Sequence, residues 1–182
     1  QPSNWQTRLT ESTDARAEVA RIGNQLLHAR TVKFFLDGVF GSATASVSQA
    51  YESTGEFGNP VWTRENLLEA TLAASRAGFQ LHLHAIGDAA GTLALDAVEH
   101  CTKQLGSLPL PAVMAHLELV HDQDVDRFAK LDAANAAAYQ ANHAAFAKRW
   151  NEALARWNAE AAVLRGVPVV ALCDTNCDPS GI

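Results

Sequence analysis

Two histidines set two residues apart, His82 and His84, close the run FQLHLH. On a strand, residues i and i+2 point to the same face, so both imidazoles would project together. A neutral imidazole nitrogen is a common donor to zinc, iron or nickel, and such a pair supplies half of a metal site. Taken alone the spacing is weak, because a structural pair has it too. Further donors have to come from other elements, and they stand where other apolar runs end. His116 lies at the end of Pro111 to Leu117, and Asp174 follows Val167 to Leu172 (VPVVAL). Lys33 sits inside the run TVKFFL, where an ammonium group needs a partner. Either it snorkels or pairs with Asp37, or its amine is carboxylated and forms an anionic bridge between two metals. Lys33, the pair His82 and His84, His116 and Asp174 fall on four different strand ends, and that convergence points to metal-assisted chemistry.

Plainer readings are preferred for the other candidates. His121 and Asp122 read as the opening of a helix, and His28 and His100 as solvated helix residues. His143 falls near a strand-end loop but suits a surface helix equally. Cys173 and Cys177 flank Asp174 without the spacing of a zinc ribbon. The tryptophans read as packing residues, with Trp62 nearest the long loop.

The elements that must position these residues alternate between helical and extended patterns, the mark of α/β construction. A helix is expected over 12–30, with Thr13 or Asp14 as its cap, and a strand from Thr31 to Leu36 ending at Asp37-Gly38. The connection from Gly38 to Pro60 is long enough to expect a functional loop. Thr63 should cap a helix that closes at Gly78, before a strand from Phe79 to His84. A helix from about Asp88 to Leu105, ended by Gly106, leads to a strand from Pro111 to Leu117. Asp122 or Asp124 should cap the next helix. Residues 133–139 are ambiguous, because their alanines prefer helix while their alternation wants a strand. Residues 142–165 are helical, and Val167 to Leu172 is a final buried strand. Four strands and a doubtful fifth, each beside a helix, close as an open sheet or as part of a barrel. No Gly-rich phosphate loop supports a nucleotide-binding version of the sheet.

The chain has 182 residues, with 48% hydrophobic and 19% charged, and reads as one globular domain. A net charge of −6 argues against nucleic acid or an anionic membrane as partner and leaves a small-molecule substrate. No apolar run is long enough to span a bilayer. The polar start without Met indicates a processed chain or one cut from something longer. Three cysteines without zinc-ribbon spacing suggest a reduced, cytoplasmic setting.

The blocks VKFFLDGVFGSATA, GNPVWT, FQLHLHAIGDAA, MAHLELVHDQDVDRFAKL and GVPVVALCD resemble successive segments of the amidohydrolase superfamily. The similarity runs from about Val32 to the end. It is strongest at HAIGD (His84 to Asp88) and HLELVHDQDVDRF, and the branch is amidohydrolase family 3, which includes N-substituted formamide deformylases. It implies a (β/α)8 TIM-type barrel that uses one or two divalent metals, most often zinc, to hydrolyse a C–N or similar bond. Lys33 then matches the fourth-strand lysine, which is often carboxylated, and His84 the fifth-strand ligand with His82 as its neighbour. His116 matches the sixth-strand histidine, a second-metal ligand or carbonyl polariser. Asp174 matches the eighth-strand aspartate that handles the proton of the attacking water. The family's first-strand His-x-His is not in this sequence.

Residues 1–182 are therefore expected to form a single incomplete barrel domain, about strands four to eight. Open barrel edges associate, so a homo-oligomer or a longer polypeptide is expected to complete it. The alternative is a catalytically inactive barrel remnant serving as a binding or assembly module.

Overall fold

A computed structural model of the chain describes residues 4–133 and 135–162. Residues 1–140 and 141–182 fall into two compact units. The first contains a parallel sheet of three strands, β1 (Thr31–Phe35), β2 (Gln80–Ala85) and β3 (Val113–His116), in the order β1-β2-β3. Between and around them lie α1 (Trp5–Ile22), α2 (Arg64–Arg76), α3 (Asp88–Leu105) and α4 (Asp122–Leu131), while α5 (Ala136–Ala162) runs into the second unit. None of the described helices is long and apolar enough to cross a membrane.

The two middle helices begin and end where the sequence indicates. Thr63 Oγ1 accepts from the Asn66 amide and opens α2. Gly78, at φ 81°, turns the chain into β2 in the left-handed region that only glycine enters without strain. Gly87 precedes α3 and Gly106 ends it.

Along β2 the alternation separates two faces. Leu81 and Leu83 are fully buried and join Phe34, Leu67, Ala70, Ala74, Ala94, Ala97, Val98 and Cys101 in one core. One sheet face is thus sealed by α2 and α3. Lys33, Phe35, His82 and His84 belong to the other.

Helix α1 corrects the sequence reading. It starts at Trp5 and stops at Gly23, whose φ of 67° closes the last turn. The hydroxyls of Thr10, Ser12 and Thr13 bond back to the carbonyls of Gln6, Arg8 and Leu9, so residues that look like caps lie inside the helix. Trp5 and Leu9 pack against the core, whereas Leu26 lies beyond the helix and is 93% exposed.

Helix α4 is also capped differently from expectation. His121 holds the N-cap position, and Asp122 and Asp124 fall in the first turn. Asp124 is buried and accepts from Arg127 Nη1 at 2.9 Å and from the Thr92 hydroxyl. Arg127 also reaches Glu99 at 2.8 Å and Asp96 at 2.7 Å, clamping α4 to α3. Glu99 first, then Asp124 and Asp96, hold the guanidinium above its ordinary pKa against the opposing effect of burial.

The ambiguous alanine-rich stretch is helical from Ala136 onward, so the doubtful strand is not formed there. Along α5, Phe146 stacks on Trp150 at 6.1 Å, and Trp150 meets Trp157 edge-on at 5.9 Å. The expected strand at Val167 to Leu172, with Cys173, Asp174 and Cys177, lies outside the described residues.

Candidate functional site

Register carries the first three candidates to one face. Lys33 pairs with His82 and Phe35 with His84 across β1 and β2, and parallel partners share a face. Lys33 Nζ lies 4.4 Å from the Phe35 ring centroid, and the Phe35 ring is 4.9 Å from that of His84. The lysine amine therefore sits over an aromatic face, on the exposed side of the strand.

His116 arrives by a different route. Its register partner is Ala85, so in an unbroken strand its side chain would take the face opposite His84. At φ 80° the backbone turns out of the strand, and Leu117 follows at φ 48°. The two imidazoles then meet edge to face with centroids 4.5 Å apart. Beyond the turn, the Leu117 amide still donates to the Ala85 carbonyl at 2.9 Å, and the Leu119 amide to that of Ile86 at 3.1 Å. A non-glycine residue held in this region is a strained position, a common property of functional sites.

Behind His84 stands a residue the sequence reading treated as a turn. The Asp37 carboxylate is buried and accepts from the amides of Ser46 (2.9 Å), Ile86 (3.0 Å) and Gly87 (2.8 Å). It pins the long loop and the β2–α3 junction to the end of β1. Its Oδ1 also lies 3.6 Å from His84 Nε2, and the Gly38 carbonyl oxygen lies 3.5 Å from the same nitrogen. The other ring nitrogen, Nδ1, is buried and has no hydrogen-bond partner among the described residues.

Asp88 repeats the anchoring one step further out, accepting from the Ser48 amide at 2.9 Å and from the Ser48 hydroxyl. Tyr51 donates to the Ala45 carbonyl at 2.9 Å. Burial first, then the carboxylates of Asp37 and Asp88, push its phenol above the ordinary value. These contacts give the connection from Gly38 to Pro60 a fixed course.

Two cavities adjoin these elements. One of about 230 Å³ is bounded by α1, Trp62, Lys33 and Phe35. Trp62 Nε1 donates to the Phe35 carbonyl at 2.9 Å and its ring packs on Phe34, so this tryptophan shapes the wall beside the candidate lysine. The other cavity, about 440 Å³, lies among Ser48, Gln49, Tyr51, Asp88, His121 and Asp122.

The structure thus places Lys33, His82 and His84 on one face of the sheet and brings the His116 ring against His84 at the strand ends, and Asp174 lies outside the described residues. Among the described residues, no group of three or more His, Cys, Asp or Glu side chains is arranged to hold a metal ion. Two imidazoles in contact, one with a buried nitrogen that has no partner among the described residues, form a partial donor set that suits a divalent cation. Asp37 is the site residue sequence reasoning missed, and Asp88 the loop anchor it missed, which touches neither imidazole. A carboxylate directly after a strand, and one opening the helix of HAIGD, were the signals available.

The profile of the Amidohydrolase family matches residues 1–180. The chain belongs to the amidohydrolase family. The match takes in α1, which the sequence resemblance had left out.

Among solved structures, this chain resembles an uncharacterized metal-dependent hydrolase from Pyrococcus furiosus, with a TM-score of 0.54 and 26% identity. It resembles another from Pyrococcus horikoshii OT3, with a TM-score of 0.53 and 30% identity. Each alignment covers 66% of this chain and 25% of the other. Among curated proteins it is similar to Protein LONG AFTER FAR-RED 3 of Arabidopsis thaliana, 29% identical over 119 residues, 65% of this chain and 20% of that protein. It is also similar to the Exoenzymes regulatory protein AepA of Pectobacterium carotovorum subsp. carotovorum, 32% identical over 99 residues, 54% of this chain and 21% of that protein. The chain spans about a fifth of the length of these curated relatives.

Proposed function

We propose that this amidohydrolase contributes part of the active site of a metal-dependent hydrolase that acts on the C–N bond of a small amide-like substrate. The observation that carries the reading is the buried Nδ1 of His84, without a partner among the described residues, beside the His116 ring at the strand ends of an amidohydrolase-family sheet. His84 and His116 would hold a divalent ion, most simply zinc. Lys33, carboxylated, and Asp174 would add anionic donors, with His82 beside them. When bound, the ion lowers the pKa of a coordinated water toward ~7 and so makes hydroxide available at neutral pH. Asp174 would take the water's proton and return it to the leaving nitrogen. His116 would alternatively polarise the scissile carbonyl.

The three parallel strands correspond in this reading to part of a TIM-type barrel. A single domain from strand four to strand eight would be completed by a further polypeptide segment or by a second copy along the open edges. An N-substituted formamide is one substrate class consistent with the branch, and a cytoplasmic setting fits the unpaired, buried Cys101.

A second reading is a non-catalytic binding or assembly module. It is favoured by the lack of a complete donor group among the described residues, and one relative carries a regulatory name. Thermal unfolding with zinc, manganese or a strong chelator separates the two. A ligand that binds only the folded state at 100 times its dissociation constant adds about 2.7 kcal/mol. For a chain of this size that is about 5–10 °C. The hydrolase reading predicts such a rise with metal and its reversal by chelator. Identical melting curves in all three conditions favour the non-catalytic module.

A further inference from the structure

We propose that Asp37 is a positioning residue that sets the tautomer of His84, keeping the proton on Nε2 so that Nδ1 presents its lone pair to a cation. The proposal rests on the metal-site reading above. Its own evidence is the placement of atoms around one ring. His84 is 7% exposed, so water does not satisfy its nitrogens freely. Nε2 faces two oxygens, Asp37 Oδ1 at 3.6 Å and the Gly38 carbonyl at 3.5 Å, and both accept rather than donate. These separations are long for hydrogen bonds, so the effect is one of field: two negative oxygens favour an N–H on that side. With the proton there, Nδ1 is an acceptor, and it is this atom that is buried with no partner among the described residues. An unsatisfied buried acceptor is costly, and a bound cation would relieve it.

The carboxylate cannot swing away from the ring. Oδ2 takes the Ser46 and Gly87 amides at 2.9 and 2.8 Å, and Oδ1 takes the Ile86 amide at 3.0 Å. The anchors come from two loops, so the ring's orientation is tied to the course of both. A histidine that holds a metal commonly gives its second nitrogen to a carboxylate or carbonyl in this manner, and losing that partner typically weakens metal binding about 10–100-fold.

Asp37→Asn tests the assignment with little change of shape. Placing the amide oxygen at the Oδ2 position keeps the two shorter bonds and turns the NH2 group toward His84 Nε2. The opposite orientation would set NH2 against two backbone amides instead of one. A donor facing Nε2 favours the proton on Nδ1, which withdraws the lone pair.

The measurement is long-range 15N–1H NMR of the metal-free full chain, labelled at histidine, at mildly alkaline pH where imidazole is neutral. The wild type should show His84 with its proton on Nε2. Asp37→Asn should show a raised Nδ1–H population and about 10–100-fold weaker cobalt(II) binding in a parallel titration. Asp88→Asn, which disturbs the same loop through Ser48 without facing His84, should leave both readouts as in the wild type. Wild-type His84 protonated on Nδ1 overturns the proposal, even if Asp37→Asn does not fold. So does an unchanged tautomer in Asp37→Asn, or an equal shift in Asp88→Asn. Wild-type protein that binds no cobalt overturns the metal-site reading instead, and the tautomer comparison then still decides the role of Asp37.

Discussion

Gly87→Ala should destabilise the protein by about 3 kcal/mol, lowering its melting temperature by about 6–12 °C. A Cβ at this position would stand 1.9 Å from the Ser46 carbonyl oxygen and 2.5 Å from its carbon. Both are backbone atoms, and the Ser46 peptide is fixed on its other side by the bond from its amide to Asp37. Gly87 has an ordinary φ of −78°, so the whole penalty comes from close approach and none from backbone strain. Relief requires the long loop to lift from the β2–α3 junction, which would break the Asp37 and Asp88 anchors with it. Gly41→Ala is the control: a Cβ there meets nothing within 4 Å, and its melting temperature should stay near that of the wild type. Equal melting of both variants would show that the loop is not seated as described.

His116→Gly should separate stability from function. The residue is exposed and sits at φ 80°, a conformation that costs a side chain of the L series about 1 kcal/mol and costs glycine nothing. The greater entropy of glycine in the unfolded chain offsets part of the gain. Stability should therefore be unchanged or raised by up to about 1 kcal/mol. Metal affinity should nevertheless fall at least about 10-fold, because the partner ring of His84 is gone. A variant that melts well below the wild type would mean that His116 serves the fold. Undiminished metal binding would remove it from the site.

The parts of the fold that were legible in the sequence are those where local signals agree with tertiary demand. Thr63, Gly78, Gly87 and Gly106 punctuate changes of hydrophobic period, and the elements between them fall where expected. Helix α1 was misplaced because hydroxyls that bond to carbonyls four residues back are, as a sequence pattern, indistinguishable from caps. The alanine-rich stretch followed intrinsic helix propensity over its alternation.

At the site, the shared face of His82 and His84 follows from a period of two. The meeting of His84 with His116 does not. It depends on a single positive φ at the end of β3, without which register would send the rings to opposite faces. Asp37 was hidden for a related reason. Asp-Gly after a strand has the composition of a turn, and its partners at 46, 86 and 87 are assembled only by the crossover through α2.

The central claim is that His84 and His116 hold a divalent cation. It is tested most directly by anomalous scattering from crystals of the full-length protein grown with zinc, recorded on both sides of the zinc absorption edge. The expected result is a difference peak about 2.0–2.1 Å from His84 Nδ1 and within bonding distance of the His116 ring. A well-ordered site without that peak, or zinc bound only elsewhere on the molecule, would contradict it.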